Sequence, residues 1–160
     1  MNTPVETQIL NLIEARLKQI NTRNGFFTDD VRVVRASLTP FNGKDLPAIN
    51  YWSTGDQLIE TTGYVELREL EVLVEFYDRH RDMPLTDKAN QLTADTRVAL
   101  SREPGQPEKI SPKLGGKVES LVVRSVIPAV GEGQSPYCGS VLTLAVRYRV
   151  DARHPFSLIV

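Results

Sequence analysis

Val5, Ile9, Leu12, Ile13, Leu17 and Ile20 recur at the three- and four-residue spacing of a helix face, while Glu14, Arg16 and Lys18 lie off that stripe. Thr3 and Glu6 stand in capping-box spacing, Pro4 suits the first helical position, and Asn24-Gly25 supplies a stop. The pattern predicts a helix over residues 4–21. From residue 31 the period shortens to two. Residues 31–37 are β-branched, and residues 46–52 form a second candidate strand, with Pro47 at its start where a missing N–H does least harm. The polar stretch 53–63 reads as a loop, and residues 64–77 carry the longest strand. Leu70, Val72, Val74 and Phe76 share one face of it, and Glu69, Glu71 and Glu75 share the other. Val65 and Leu67 sit in the opposite phase, which a bulge or bend near Arg68 reconciles.

A second helix is predicted over residues 85–101, its inner face marked by Leu85, Ala89, Leu92, Thr96, Ala99 and Leu100. Pro104, Gly105, Pro107, Pro112, Gly115 and Gly116 then punctuate residues 102–116 as a long loop. Strands follow at 117–126 and 140–150. In the last one Leu142, Leu144, Val146, Tyr148 and Val150 face one way, and Thr143, Arg147 and Arg149 the other. This order, with one-sided alternation, predicts an α+β domain over residues 1–150. Its sheet is mainly antiparallel or mixed, of about five strands, with two amphipathic helices packed on one face. Residues 151–160 are expected as a C-terminal tail. Phe156, Leu158, Ile159 and Val160 follow Pro155 there, at an end that cannot easily extend the domain's own sheet. Two outcomes are open for them: packing on a neighbouring subunit, or folding back on the chain's own core.

Composition narrows the function classes. A chain of 160 residues has the usual size of one domain and can bury a core without disulfides or metals. Its net charge of −1 lacks the basic footprint of a nucleic-acid-binding domain. The single cysteine, Cys138, suits a reducing compartment and reads as a small packed side chain. The first residues lack the succession of a secretory signal, and no apolar run approaches the ~20 residues of a membrane span. Synthesis in the cytoplasm, with no membrane partner, is therefore expected.

The search for chemistry turns up weak candidates. Asp78, His80 and Asp82 share a face of an extended segment, a metal or acid–base pattern, yet they lie in a charge run of the kind that marks a solvated turn. His80-Arg81-Asp82 repeats a kinase catalytic-loop triplet, but Asp87 stands where asparagine is required and no glycine-rich loop accompanies it. Gly131-Glu132-Gly133 opens like a dinucleotide fingerprint, but Pro136 takes the third glycine's place. His154 has no evident partner. No catalytic, metal-binding or cofactor-binding residue is assigned, no cofactor is expected, and no enzymatic activity is expected. Glu69, Glu71 and Glu75 are compatible with general acid–base work and with two blander readings. They mark the wet side of a sheet, with Arg147 and Arg149 as cross-strand partners, or they line a channel, where like charges let a DNA backbone slide without sticking.

The succession of elements resembles the tail terminator, or tail completion, proteins of long-tailed bacteriophages. The resemblance rests on the N-terminal amphipathic helix, on Leu46-Pro47-Ala48-Ile49 at the start of a strand, and on the strand Leu70-Glu71-Val72-Leu73-Val74-Glu75-Phe76. The helix after it and the late strand Leu142-Thr143-Leu144-Ala145-Val146-Arg147-Tyr148 also look like that family. The proline-rich residues 102–116 and the apolar tail depart from it. The resemblance implies a virion protein, assembled in the host cytoplasm into a homohexameric ring. The ring caps the head-proximal end of the tail tube, stops tube growth and offers the surface that joins the head. Its implied partners are the tube protein and a head–tail connector, with DNA only in passage. On that reading Glu69, Glu71 and Glu75 are candidates for the channel wall, and Arg147, Arg149, Phe156, Leu158 and Ile159 for subunit contacts. Two other readings remain: a different neck component that binds the connector, and a small enzyme using Asp78 and His80.

Overall fold

The computed structural model describes residues 2–79, 82–130 and 137–160. It is an α+β fold. The elements run α1 (Val5–Leu17), β1 (Arg32–Arg35), β2 (Ala48–Thr62), β3 (Val65–Arg79), α2 (Leu85–Leu100), β4 (Arg102–Glu103), β5 (Gln106–Ile110), α3 (Pro112–Gly116), β6 (Ser120–Val130), β7 (Tyr137–Asp151) and β8 (His154–Ile159). One mixed sheet has the order β1-β2-β3-β7-β6, with β8 also on β7. β1 is parallel to β2, and the remaining pairs are antiparallel. No helix among the described residues is long and apolar enough to cross a membrane.

The core lies between α1, α2 and one face of the sheet. Val5, Ile9, Ile13 and Leu17 of α1 and Leu92 and Ala99 of α2 are buried with Ile49, Tyr51, Leu70, Val72, Val74, Phe76, Leu142, Leu144 and Val146. Apart from Ile49 and Tyr51, these are positions the two periodicities selected, and truncating one of the larger ones to alanine costs about 2–5 kcal/mol. Polar links fix the helices over the sheet. Gln19 Nε2 donates to Ala99 O at 2.9 Å, and the Thr93 and Ser140 hydroxyls lie 2.5 Å apart.

Several boundaries differ from the sequence reading. Pro4 is the N-cap residue of α1, without a side-chain cap. The Thr3–Glu6 capping box does not close; Glu6 Oε1 instead lies 3.1 Å from the Tyr148 hydroxyl. α1 ends at Leu17, and Thr22–Asn24 forms a separate 3₁₀ turn that the left-handed Gly25 closes. Residues 53–62 are not a loop: they continue β2 along β3. β3 itself runs against β7 from Val65 to Arg79 without a break. The irregularities sit in β2, between Ser53 and Gly55 and between Leu58 and Glu60, the second opposite Arg68. The phase change of β3 has a polar cause. Glu66 and Arg68 occupy the helix-side face at its far end, where Arg68 pairs with Asp56 at 2.5 Å and Glu66 at 2.8 Å, and Asp56 takes the Tyr148 hydroxyl at 2.5 Å.

Residues 102–116 hold more order than a loop. β4 and β5 make a small hairpin, and α3 is a single turn in which Lys113, Leu114 and Gly115 are left-handed (φ 55, 51 and 75). Such backbone is costly for side-chain-bearing residues, and the burial of Leu114 against the core offsets it. The C-terminal residues form β8, with Arg149 opposite Ile159 and Val150 opposite Leu158. The tail therefore does extend the sheet of its own chain, against the expectation. It lies beside β7 where β6 has not yet begun, and Gln8 Nε2 of α1 tethers it at Phe156 O, 2.8 Å away.

One ionic cluster joins three elements. Glu14 of α1 accepts from the Tyr51 hydroxyl of β2 (2.6 Å) and from Arg35 Nη2 of β1 (2.7 Å), and pairs with Lys18 (2.6 Å). Lys18, then Tyr51 and Arg35, hold the Glu14 carboxyl at about 2, below its ordinary 4.5, against the opposing effect of burial. Burial and the Glu14 hydrogen bond push the Tyr51 hydroxyl up to about 12. Because the folded-state value of Glu14 is depressed, its contribution is full above about pH 4.5 and is lost as pH falls toward 2. Glu14→Gln should lower stability at neutral pH by about 1–2 kcal/mol, after allowance for partial exposure. It should also flatten the acid limb of urea-unfolding free energy against pH. An unchanged acid limb would show that Glu14 does not set it.

Candidate functional site

The sheet face opposite the helices is the candidate site. Glu69, Glu71 and Glu75 all lie on it, as the alternation requires, but in three different surroundings. Glu69 is only 4% exposed. It sits directly opposite Arg147, whose Nε donates to Oε2 at 2.9 Å, and Arg124 Nη2 reaches Oε1 at 2.6 Å. Arg124 follows Ser120 and Val122 on this face by alternation, and it is the extra residue where the β6–β7 register shifts between Val123 and Ser125. Arg147, and then Arg124, hold the Glu69 carboxyl below the usual range despite burial. Glu71 is exposed and accepts from Thr54 Oγ1 at 2.6 Å. Glu75 is half-buried, and burial pushes its carboxyl up against a hydrogen bond from Tyr77. The three do not form one solvated row. One is neutralised by two arginines, one is wet and one is desolvated.

The expected cross-strand pairing holds for Arg147 with Glu69. Arg149 pairs instead with Glu119, Nε to Oε1 at 2.6 Å. Phe156 is exposed, and Leu158 and Ile159 are half-buried in β8. The open face also carries apolar side chains along the edge strand β6, with Val122 51% and Ile127 61% exposed.

At the β1 end of the same face the chain folds back over the sheet and encloses a cavity of about 490 Å³. Residues 37–46 make its roof, with Phe41 and Leu46 inward. Asn50 and Trp52 of β2 and Glu75 and Tyr77 of β3 make its floor. The roof is pinned in two places. Asn50 Oδ1 accepts from Ser37 N at 2.8 Å, and the Arg79 guanidinium donates to Gly43 O. Tyr77 owes its position to Gly139, its partner across β7: a Cβ on Gly139 would lie 2.3 Å from Tyr77 Cδ1. The sequence reading missed this cavity. Trp52 and Tyr77 had been assigned to strands, and residues 37–46 carry no period that brings them to the sheet.

The remaining candidates stay apart. Asp78 pairs with Lys88 at 2.8 Å, Asp82 is exposed, and His80 lies outside the described residues. The Gly131-Glu132-Gly133 segment also lies outside them. His154 is exposed on β8. Cys138 is buried, as a small packed side chain should be, and burial raises its thiol. Among the described residues no group of three His, Cys, Asp or Glu side chains is placed to hold a metal ion. No family model matches the chain, and no curated protein matches it.

Gly139 provides a direct test of the cavity floor. An alanine at an unstrained glycine position ordinarily stabilises by about 0.4–1 kcal/mol. Here the added methyl meets Tyr77 at 2.3 Å and Phe76 O at 3.0 Å. Gly139→Ala should therefore destabilise, by about 1–3 kcal/mol as overpacking does, read from the urea midpoint. A neutral or stabilising outcome would mean that Tyr77 does not lie across Gly139.

Proposed function

We propose that this chain is a structural subunit of a phage virion, a tail terminator that assembles into a ring on the head-proximal end of the tail tube. The observation that carries the reading is the state of the two sheet edges. Beyond Tyr51, β2 has β3 as its sole neighbour among the described residues, because β1 pairs only with Ala48 to Tyr51. Among the described residues β6, an 11-residue strand, has β7 as its one strand neighbour. The alternation of antiparallel pairs from β2 through β3 and β7 to β6 leaves these two edges running in opposite directions. The β6 edge of one copy therefore matches the β2 edge of the next as a further antiparallel pair. Unpaired edges are ready templates for another chain. A contact between two different edges repeats around an axis until it closes, which is the heterologous arrangement of a ring.

Exposed apolar side chains flank both edges: Leu58 and Ile59 on β2, Val122 and Ile127 on β6. The bulges at both edges and Pro128 on β6 restrict which strand can pair there, and so guard against indiscriminate aggregation. The family resemblance supplies the rest of the proposal: six copies, the tube protein below, the head-side connector above, and DNA only in passage. The activity is binding and capping, without turnover. On the row proposed for the channel wall, Glu69 is compensated by two arginines and Glu71 is the exposed carboxylate.

The purified protein should sediment as a multi-subunit ring and cap tube ends in negative-stain images with tails of the same virus. Leu58→Lys or Ile127→Lys should each yield a monomer with an unchanged far-ultraviolet circular dichroism spectrum. A wild-type protein that stays monomeric and never decorates tube ends would sink the proposal. Binding to the connector alone would move the subunit elsewhere in the neck.

A further inference from the structure

We propose that the cavity between residues 37–46 and the Trp52–Glu75–Tyr77 floor is a binding site for an organic cation, an ammonium or guanidinium group carried on an apolar stem. This inference rests on the cavity alone and is independent of the ring.

Its size falls within the range of small-ligand sites, and its lining fits their usual character, mostly apolar with few polar groups. Among its described lining residues Glu75 alone carries a formal charge. The polar groups of Asn50 are spent on the roof, Oδ1 on Ser37 N and Nδ2 on Ser37 O. Glu75 faces Asn50 across one strand border and Val141 across the other, so no cation stands opposite it in either register. That contrasts with Glu69 on the same strand, which two arginines serve. Burial already disfavours the Glu75 carboxylate. Tyr77 gives it a neutral hydrogen bond, and an arriving cation supplies the opposite charge in a place where water is partly excluded and the attraction is correspondingly stronger.

The walls suit the same ligand. Phe41, Trp52, Tyr77 and Tyr137 all border the cavity, and aromatic faces attract cations, tryptophan most strongly. An anion would meet Glu75 and the negative ring faces, and a purely apolar guest would leave the carboxylate desolvated with its charge uncompensated. At the rim Leu38 is 99% exposed, an apolar contact for the ligand's stem or for residues flanking a lysine or arginine side chain.

The chain has one tryptophan, and it lines the cavity, so Trp52 fluorescence reports occupancy directly. Titration with n-butylammonium and n-butylguanidinium should give a saturable change. n-Butanol, of the same length without charge, should bind at least about tenfold more weakly, the effect of ~1.4 kcal/mol. Glu75→Gln should weaken cation binding by a similar factor, Glu75→Asp by less, and Glu71→Gln not at all. A short peptide with arginine between leucines separates two sources of the cation. Tighter binding than n-butylguanidinium identifies a side chain of a partner protein, and equal or weaker binding a free small cation. Absence of a saturable response to any cation, or a response that Glu75→Gln and Glu75→Asp leave unchanged, overturns the site.

Discussion

The alternation along β3 is the constraint on which the rest of the molecule depends. This strand lies mid-sheet, paired along its length with β2 on one side and β7 on the other. Its register places Leu70, Val72, Val74 and Phe76 beside Tyr51 and Ile49 on one flank and Val146, Leu144 and Leu142 on the other. A shift of one residue would bring Glu69, Glu71 and Glu75 under the helices. The apolar face of α1 then has one surface on which it can lie. The Glu14–Tyr51–Arg35 cluster fixes where along that surface α1 stops, tying the helix to β2, which pairs with β3, and to β1, which β3 does not reach directly.

What could be read from the chain follows from how local each signal is. The helices, the strand β3 and the inward side of β7 were legible because their periodicity lies within a single element. The outer half of β2 was not. Ser53-Thr54-Gly55-Asp56-Gln57 has the composition of a turn, and pairing with β3 on both sides of the irregularity at Thr54 holds it extended rather than propensity. The bulge assigned to β3 belongs to β2, since a phase change in one strand can arise from polar contacts around it. The Arg68–Asp56–Tyr148 cluster is of that kind. The tail was misjudged for a related reason. An edge position on β7 stays open only because β6 begins at Ser120, opposite Arg147, and that boundary is invisible without the register.

The candidate site was legible as a set of residues and not as surroundings. Glu69, Glu71 and Glu75 do share a face. The fate of each is decided by groups distant in sequence: Arg124 and Arg147 for Glu69, Thr54 for Glu71, and the roof of residues 37–46 for Glu75. Gly139 shows the limit well. Its role is to leave room for Tyr77, a requirement set by cross-strand pairing and carried by no motif.

The open face is thus divided along its length. At one end the Glu69–Arg147–Arg124 clamp spans β3, β7 and β6, and so fixes the edge strand to the strand that organises the fold. At the other end the cavity links β2 and β3 to residues 37–46. Between them lie Leu73, Thr143 and Val141, half-buried side chains without formal charge. The clamp fixes the β6 edge, on which the proposed pairing with a second copy would depend, and shares no residue with the cavity lining. A ligand entering the cavity contacts β2 at Asn50 and Trp52, the point where β1 ends and the free β2 edge begins. The proposed edge pairing and the proposed cation site therefore draw on separate side chains but meet at one strand. Of the two edges, the one on β2 is the edge whose geometry an occupied cavity bears upon.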